Sequence, residues 1–210
     1  LVADLHAGFM HRKPTFFFRH FHTQSTWWDN YDLSREVRFK VDGTLRLKKL
    51  GTKLQVGFEN VSNYTYFGMQ NTLLKGKDTK SVIPTDFSHA VGVMQADNVQ
   101  VFGASLSQDL KWKIVHWDNR LSYQMSSNQD VLPLPTVDIY TNLYLLFRIA
   151  KVMRVQLGAD MRFFTSYYAP DYSPAIQQFA VQDTNHERVE IGNYPIIGAY
   201  ANLHLKRCRI

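Results

Sequence analysis

The sequence predicts an all-β protein: an antiparallel up-and-down transmembrane β-barrel, of which this chain carries about eight strands. Three observations favour this class. Apolar and polar side chains alternate with a period of two along several segments. Short connections between these segments alternate with long ones. Aromatic residues make up 14% of the chain and are grouped near the ends of the alternating segments.

The alternation is clearest from Val37 onward, where odd positions are apolar and even positions are basic or polar. Successive side chains of a strand point to opposite faces, so this strand has one apolar and one polar face. Gly51 then permits a tight turn. Leu54, Val56 and Phe58 resume the alternation. The segment is therefore predicted to be a β-hairpin.

Two further hairpins and two single strands complete the prediction. The second hairpin has a turn near residues 113–115 and the third has one at 150–153. The strands of the second hairpin are predicted at about 102–112 and 117–125, and those of the third at about 137–149 and 155–163. A last strand is predicted at about 196–206, and a less regular early strand within 7–22.

The connections are of two kinds. The turns near Gly51, Ile114 and Lys151 are a few residues long, whereas the connections 70–97 and 169–195 are long, polar and rich in proline and glycine. Short turns at one rim and long loops at the other are typical of outer-membrane barrels, with the short turns periplasmic and the long loops extracellular. Residues 1–210 are thus expected to form a single β-barrel domain, as a fragment of a longer chain.

Aromatic side chains near the long loops predict a girdle at the level of the lipid headgroups. A ring with an apolar body and a polar tip is favoured at that depth. The predicted girdle residues are Trp27, Trp28, Tyr64, Tyr66, Phe67, Phe163, Phe164, Tyr167 and Tyr168.

The composition argues against a nucleic-acid-binding protein, a transmembrane helix and an internal disulfide. The 24 Lys and Arg residues against 18 Asp and Glu give a net charge of +6, but the basic residues are spread along the chain, so no nucleic-acid partner is expected. No stretch approaches the 18 consecutive apolar residues of a transmembrane helix. The mean hydropathy of −0.28 is compatible with a barrel. The single cysteine, Cys208, cannot form a disulfide within the chain.

Catalytic and metal-binding patterns are weak. His20 and His22 alternate onto one strand face, with His11 nearby, but no third ligand follows at a fixed spacing. Asp118, Asp138 and Asp160 could be paired carboxylates, yet each belongs to an alternating polar face that would ordinarily line water. No nucleophile-elbow, phosphate-loop or dinucleotide motif is present. We therefore expect no enzyme activity, no metal and no cofactor.

The polar faces supply the candidate functional residues. A charge that faces lipid at mid-bilayer costs about 2–4 kcal/mol, so charged mid-strand residues are expected to face a lumen. The lumen-facing candidates are Arg38, Lys40, Arg46, Asp118, Arg120, Asp138, Arg148, Asp160 and Arg162. With Asp42, basic candidates outnumber acidic ones by six to four, which predicts a mild preference for anions. The residues expected to face lipid are Val37, Phe39, Val41, Leu143, Leu145, Phe147, Leu157 and Met161.

Several strings are recognisable: VGFENV at 56–61, HWDN at 116–119, SSNQDVLPLP at 126–135, YYAPDYSPA at 167–175 and IGNYP at 191–195. From about Arg35 to its end the chain resembles the putative porin family of Bacteroidetes-type bacteria, whereas residues 1–33 depart from that pattern. The resemblance implies a barrel in the bacterial cell outer membrane, longer than 210 residues, of which this chain is a late portion.

The expected function is that of a porin-like channel for passive diffusion of small solutes or ions, with outer-membrane lipid around it. A homo-oligomer is left open. One alternative is a soluble β-sandwich binding module with aromatic-rich loops. Another is a plugged barrel that serves as an anchor or docking platform. A sandwich would bury the apolar strand face against a second sheet, whereas a barrel would expose it.

Overall fold

A computed structural model describes residues 1–24, 26–69, 91–184, 187–205 and 208–209. Within them, no helix is long and apolar enough to cross a membrane. The elements in chain order are β1 (Val2–Arg12), α1 (Phe16–Arg19), β2 (His20–His22), β3 (Trp27–Asp29), β4 (Glu36–Leu47), β5 (Thr52–Met69), β6 (Val91–Trp112), β7 (Val115–Ser126), β8 (Val137–Ile149), β9 (Met153–Phe164), β10 (Asp171–Ser173), β11 (Gln178–Ala180), β12 (Ile196–Leu205) and β13 (Cys208–Arg209).

One antiparallel sheet dominates the fold, with strand order β1-β4-β5-β6-β7-β8-β9-β12-β13. It contains eight long strands, as the sequence predicts, and the two-residue β13. Each long strand pairs with the next long strand of the chain, as in an up-and-down barrel. The sheet is not closed within this chain. The remaining strands form the two small hairpins β2–β3 and β10–β11.

The two faces of the large sheet differ in chemistry. Residues that pair directly across strands share a face, and residues alternate between faces along each strand. We call the face with Arg38, Asp118 and Arg162 the polar face, and the opposite one the apolar face. All residues predicted to face lipid lie on the apolar face. Phe39 and Leu143 there are about half exposed, at 46% and 52%. Among the described residues no second sheet covers them, which excludes the β-sandwich alternative.

The ends of the hairpins are staggered. The β5–β6 pairing begins at Thr52 and Gln108, and β6 runs four residues farther before it turns. The β7–β8 pairing begins at Val115 and Leu145, and β8 again runs four residues farther. Each hairpin thus extends about 13 Å beyond the previous one, in the same sense. A constant stagger of this kind is the register shift that tilted barrel strands require.

The short turns lie at one rim, as predicted, and the long connections lie at the other. Contacts between successive turns support this, because the Asp109 N–H donates to the Gly51 carbonyl and the Leu146 N–H donates to the Ile114 carbonyl. The predicted loop 70–97 ends earlier than expected, since β6 begins at Val91. Residues 70–90 lie outside the described residues.

The small hairpins lie at the long-connection rim, against the last residues of β5. Phe17, Phe18 and Trp28 pack around Phe67 of β5. The β9–β12 connection passes β8, β7 and β6 to reach the same strand, where Val181 exchanges two backbone hydrogen bonds with Phe67 and Met69. Residues of β5 and β6 that are buried near this rim include Val61, Thr65, Met69 and Val99.

The aromatic girdle is therefore only partly as predicted. Phe163 shares the parity of the apolar face, whereas Asn63, with φ of 57°, interrupts the alternation of β5 before Tyr64 and Tyr66. Trp28 and Phe67 were expected in the girdle but belong to the aromatic cluster at the long-connection rim. The physical reason is that the β2–β3 hairpin folds back over β5, so these rings are removed from solvent by each other and not by lipid.

Candidate functional site

Charged residues at the paired positions of the long strands all lie on the polar face. At positions with a partner in β1, β4–β9 and β12, the paired basic residues number ten and the paired acidic residues eight, and each has polar-face parity. The basic residues are Arg12, Arg38, Lys40, Arg46, Lys53, Lys111, Arg120, Arg148, Arg154 and Arg162. The acidic residues are Asp4, Glu36, Asp42, Glu59, Asp109, Asp118, Asp138 and Asp160. The same paired positions on the apolar face carry no Lys, Arg, Asp or Glu.

Near the first strands these charges form ion pairs. Glu36, only 3% exposed, contacts the Arg12 Nε at 3.4 Å and the Arg38 Nη2 at 3.6 Å. Its other oxygen accepts the Thr65 N–H at 3.0 Å, on the part of β5 that extends beyond β4. Arg38 also contacts Glu59 at 3.3 Å. The sequence analysis missed Glu36, although it lies at the even position just before the alternating run.

Three other lumen-facing candidates, Lys40, Asp138 and Arg162, are also engaged. Lys40 lies 3.1 Å from the Asp42 carboxylate. Arg162 donates from Nε to Asp138 Oδ2 at 3.1 Å. Fixed charges that neutralise each other contribute less to the field along a water path than isolated ones do. The candidate set therefore divides into paired and unpaired charges, which the sequence does not distinguish.

A row of basic side chains crosses six strands of the polar face. In register order from β4 to β9 it contains Arg46, Lys53, Ser107, Arg120, Tyr140 and Arg162. We call this set the basic row. Arg46 and Arg120 are exposed and Lys53 is half-buried. None of these three forms an ion pair with another described residue. Lys53 was not among the candidates, because only register places it beside Arg46.

A row of acidic side chains lies two residues closer to the turns. It contains Asp109 of β6, Asp118 of β7, Asn142 of β8 and Asp160 of β9, directly paired in that order. We call this set the acidic row. Asp109 and Asp118 are directly opposite each other, an arrangement of like charges that destabilises a sheet. The sequence analysis missed Asp109. No described basic side chain forms an ion pair with any of the three carboxylates.

The last candidate, Arg148, lies near the turns. It pairs directly with Arg154 of β9, which in turn pairs with His204 of β12. The structure thus brings positive charge together here as well. All nine predicted lumen-facing residues share the polar face, but they fall into separate groups along it.

Two glycines leave a shallow depression on the polar face. Gly57 and Gly103 are directly paired between Asp42 and Gln124. A depression of about 330 Å³ lies over them, bordered by Lys40 and Ser122. A Cβ at Gly103 would meet no atom within 4 Å. The polar face is therefore open to solvent at these two glycines.

The histidines predicted to share a face do so, but they bind a carboxylate. His20 Nδ1 and His22 Nε2 lie 2.9 and 3.0 Å from the two oxygens of Asp29 across the β2–β3 hairpin. The hydrogen bond from His20 is the main reason that the pKa of Asp29 lies below its ordinary value of 3.8. His11 lies on β1, paired with Val37. In the described part of the chain, no group of three or more His, Cys, Asp or Glu side chains is arranged to hold a metal ion.

Known proteins resemble the chain at two levels. The family model described as putative porin matches residues 3–210. The similarity therefore also covers most of the first 33 residues, which the sequence analysis had placed outside it. No curated protein matches the sequence.

Among solved structures, the ferric enterobactin receptor PfeA of Pseudomonas aeruginosa is similar with a TM-score of 0.53 and 15% identity, over 98% of this chain and 31% of that one. The siderophore receptor PirA of Acinetobacter baumannii has a TM-score of 0.47 and 13% identity, over 86% and 27%. This chain thus spans less than a third of either receptor chain. The likeness to PfeA shows the fold of an outer-membrane barrel. The chain belongs to the putative porin family and is part of a β-barrel in the outer membrane.

Proposed function

We propose that the whole protein forms one closed barrel domain that serves as a passive diffusion channel for small solutes or ions. Outer-membrane lipid contacts the apolar face, and water contacts the polar face. The mechanism involves no covalent chemistry and no cofactor. A closed barrel pairs every backbone group inside the bilayer, and its polar interior provides a path for hydrated solutes.

The observation that carries this proposal is the segregation of charge between two faces of one sheet. The eighteen charged residues at paired positions share one face, which would be costly if that face met lipid. The opposite face presents exposed Phe39, Leu143 and Leu157, which suits hydrocarbon. A protein whose two faces both met water would gain nothing from so complete a separation.

Unpaired charges support the mild anion preference. Because Arg38 and Lys40 form ion pairs, the preference would depend chiefly on Arg46, Lys53 and Arg120. Lys111, Arg148 and Arg154 also form no ion pair with a described residue. At the described paired positions, the unpaired basic residues thus outnumber the unpaired carboxylates Asp4, Asp109, Asp118 and Asp160 by six to four. This excess is small, and salt screens it over about 10 Å at 0.1 M. We therefore expect a weak selectivity that is clearest in dilute salt.

A plugged barrel is the second candidate. Its specific support is the pair of small hairpins, because β2–β3 packs on Phe67 and the Val181 segment pairs with the end of β5 at the long-connection rim. Loops folded over the inner wall narrow or block a water path. In this alternative the protein would act as an anchor or docking platform.

The test is a conductance measurement on the full-length protein in a planar bilayer. Discrete conductance steps, with a reversal potential of anion-selective sign under a salt gradient, are expected. Replacing Arg46, Lys53 and Arg120 together with Gln should shift the reversal potential toward cations, whereas replacing the ion pair Lys40 and Asp42 with Gln and Asn should not. An absence of conductance that deletion of residues 16–29 restores would favour the plugged barrel. An absence that persists would overturn the channel proposal.

A further inference from the structure

We propose that the basic row and the acidic row together select dipolar solutes that carry an ammonium group and a carboxylate at opposite ends, of which a short peptide with free termini is the model. This inference rests on the proposed channel. It names the class of solute that the polar face would favour.

The two rows have opposite charge and a fixed separation. On β7 and β9 the basic-row residues Arg120 and Arg162 stand two positions from the acidic-row residues Asp118 and Asp160. Two residues of a strand span about 7 Å. The rows run side by side from β6 to β9. Both charges are present on β7 and on β9, and the neutral Tyr140 and Asn142 of β8 lie between them.

The charges of these rows are available to a solute. Side chains two apart on a strand share a face, yet no ion pair joins the two rows among the described residues. The one ion pair that involves either row connects Arg162 with Asp138, which lies on the far side of the basic row from the carboxylates. By contrast, Lys40 and Asp42 at the same spacing on β4 do pair. Among the described residues, Arg120, Asp118 and Asp160 are therefore left without a counter-ion.

Repulsion within the acidic row supports a role in binding a solute ammonium group. Asp109 and Asp118 face each other directly, at a cost to the sheet that a solute ammonium group between them would offset. Asp109 is exposed, and Asp118 and Asp160 are half-buried, so all three carboxylates are accessible from water. Asn142, Ser107 and Tyr140 add neutral hydrogen-bonding groups beside the charges.

The spacing decides between solute classes. A simple ion is attracted by one row and repelled by its neighbour, so the net attraction is small. In an amino acid the ammonium group and the carboxylate are attached to the same carbon, so the two groups are too close together to reach both rows at once. A dipeptide separates its termini by several bonds, which suits a spacing of about 7 Å. A zwitterion of that length gains from both rows.

The experiment compares solutes of similar size in vesicles that contain the full-length protein. Osmotic swelling is measured with alanyl-alanine, which is zwitterionic, with its neutral N-acetyl and N-methylamide analogue of alanine, and with the anion N-acetylalanine. We expect alanyl-alanine to enter at low concentration faster than both, by roughly threefold to fivefold, which corresponds to the ~0.6–1 kcal/mol of an exposed charge pair. In 1 M salt the advantage should disappear, because the Debye length falls to about 3 Å.

Variants locate the effect. Replacing Asp109, Asp118 and Asp160 with Asn, or Arg46, Lys53 and Arg120 with Gln, should each remove the advantage of alanyl-alanine while entry of the neutral compound persists. The matched control, Lys40→Gln with Asp42→Asn, removes two charges from the same face and should preserve the advantage. Equal rates for all three solutes, or an advantage unaffected by either row variant, would overturn the inference and leave the channel intact. If no solute enters, the proposed channel itself is wrong and the inference fails with it.

Discussion

Tyr200 of β12 lies directly over Gly158 of β9, where a Cβ on the glycine would stand 2.6 Å from the phenol oxygen. The Tyr200 hydroxyl donates to Asn142 Oδ1 at 2.9 Å and accepts from Gln156 Nε2 at 3.2 Å. The absent side chain of Gly158 thus allows one ring to connect three strands across the polar face. Tyr144 closes the other side, with its Cβ 2.8 Å from the same position.

Gly158→Val should displace the Tyr200 ring and break both hydrogen bonds. We expect a loss of about 1–3 kcal/mol in the free energy of unfolding, as is typical of overpacking. Denaturant unfolding in detergent measures it. Gly103→Ala is the control, since a Cβ there meets nothing within 4 Å. Equal stability of the Gly158 variant and the native protein would show that the ring is not held in this position.

Glu36→Gln should destabilise the first strands strongly. The substitution leaves Arg12 and Arg38 without their shared buried carboxylate. Arg12 is about half exposed and Arg38 keeps Glu59, so the expected loss is that of the charged hydrogen bonds to Glu36, about 1.5–3 kcal/mol. The control is Asp42→Asn, which breaks an exposed pair with Lys40 and should cost about 0–1 kcal/mol. Urea unfolding of the two variants compares them, and similar losses would contradict the special role of Glu36.

Leu143→Arg tests the assignment of faces. Leu143 is 52% exposed on the apolar face, and a charge there would meet lipid. We expect a loss of about 2–4 kcal/mol for folding into bilayers if the site lies near the midplane. Asn142→Arg, one position away on the polar face, removes the hydrogen bond from Tyr200, worth about 0.5–1.5 kcal/mol, but places its charge beside Asp118 and Asp160, so it should cost less. A larger loss for Asn142→Arg than for Leu143→Arg would reverse the two faces.

Acid should loosen the β2–β3 hairpin. The folded pKa of Asp29 is lowered, chiefly by its hydrogen bond from His20, so its contribution to stability is present above pH 3.8 and is lost as the pH falls through the folded value. Hydrogen exchange over residues 20–29, corrected for its intrinsic pH dependence, should therefore accelerate in that range. Asp29→Asn should abolish the acceleration, whereas Asp32→Asn should not. A hairpin equally protected at pH 5 and pH 2.5 would contradict this linkage.

The orientation in the membrane can be tested by labelling. In a Cys208→Ser background, Lys151→Cys places a thiol in a short turn and Glu187→Cys places one in the long β9–β12 connection. An impermeant thiol reagent applied to whole cells should label residue 187 and spare residue 151, because short turns of such barrels face the periplasm. The opposite labelling pattern would show that the barrel is inserted the other way round.

The alternation of side chains determined much of the fold. Val37, Phe39 and Val41 on one side and Arg38 and Lys40 on the other define a strand with two unlike faces, and a one-residue slip would exchange them. Strand number, short turns and the placement of all nine charged candidates on one face follow from this local pattern. These features are local because a strand's side-chain period is fixed by its own backbone.

Only the tertiary structure decided which of these residues meet. The basic and acidic rows depend on register, which joins Arg46 to Lys53 and Asp109 to Asp118 across strands. The aromatic cluster at Phe67 depends on a hairpin that folds back over a strand. For this reason Trp28 lies in that cluster and not in the predicted girdle. Sequence periodicity specifies the face on which a side chain lies. Its neighbours on that face are set by pairing between distant segments, and that pairing is a property of the assembled sheet.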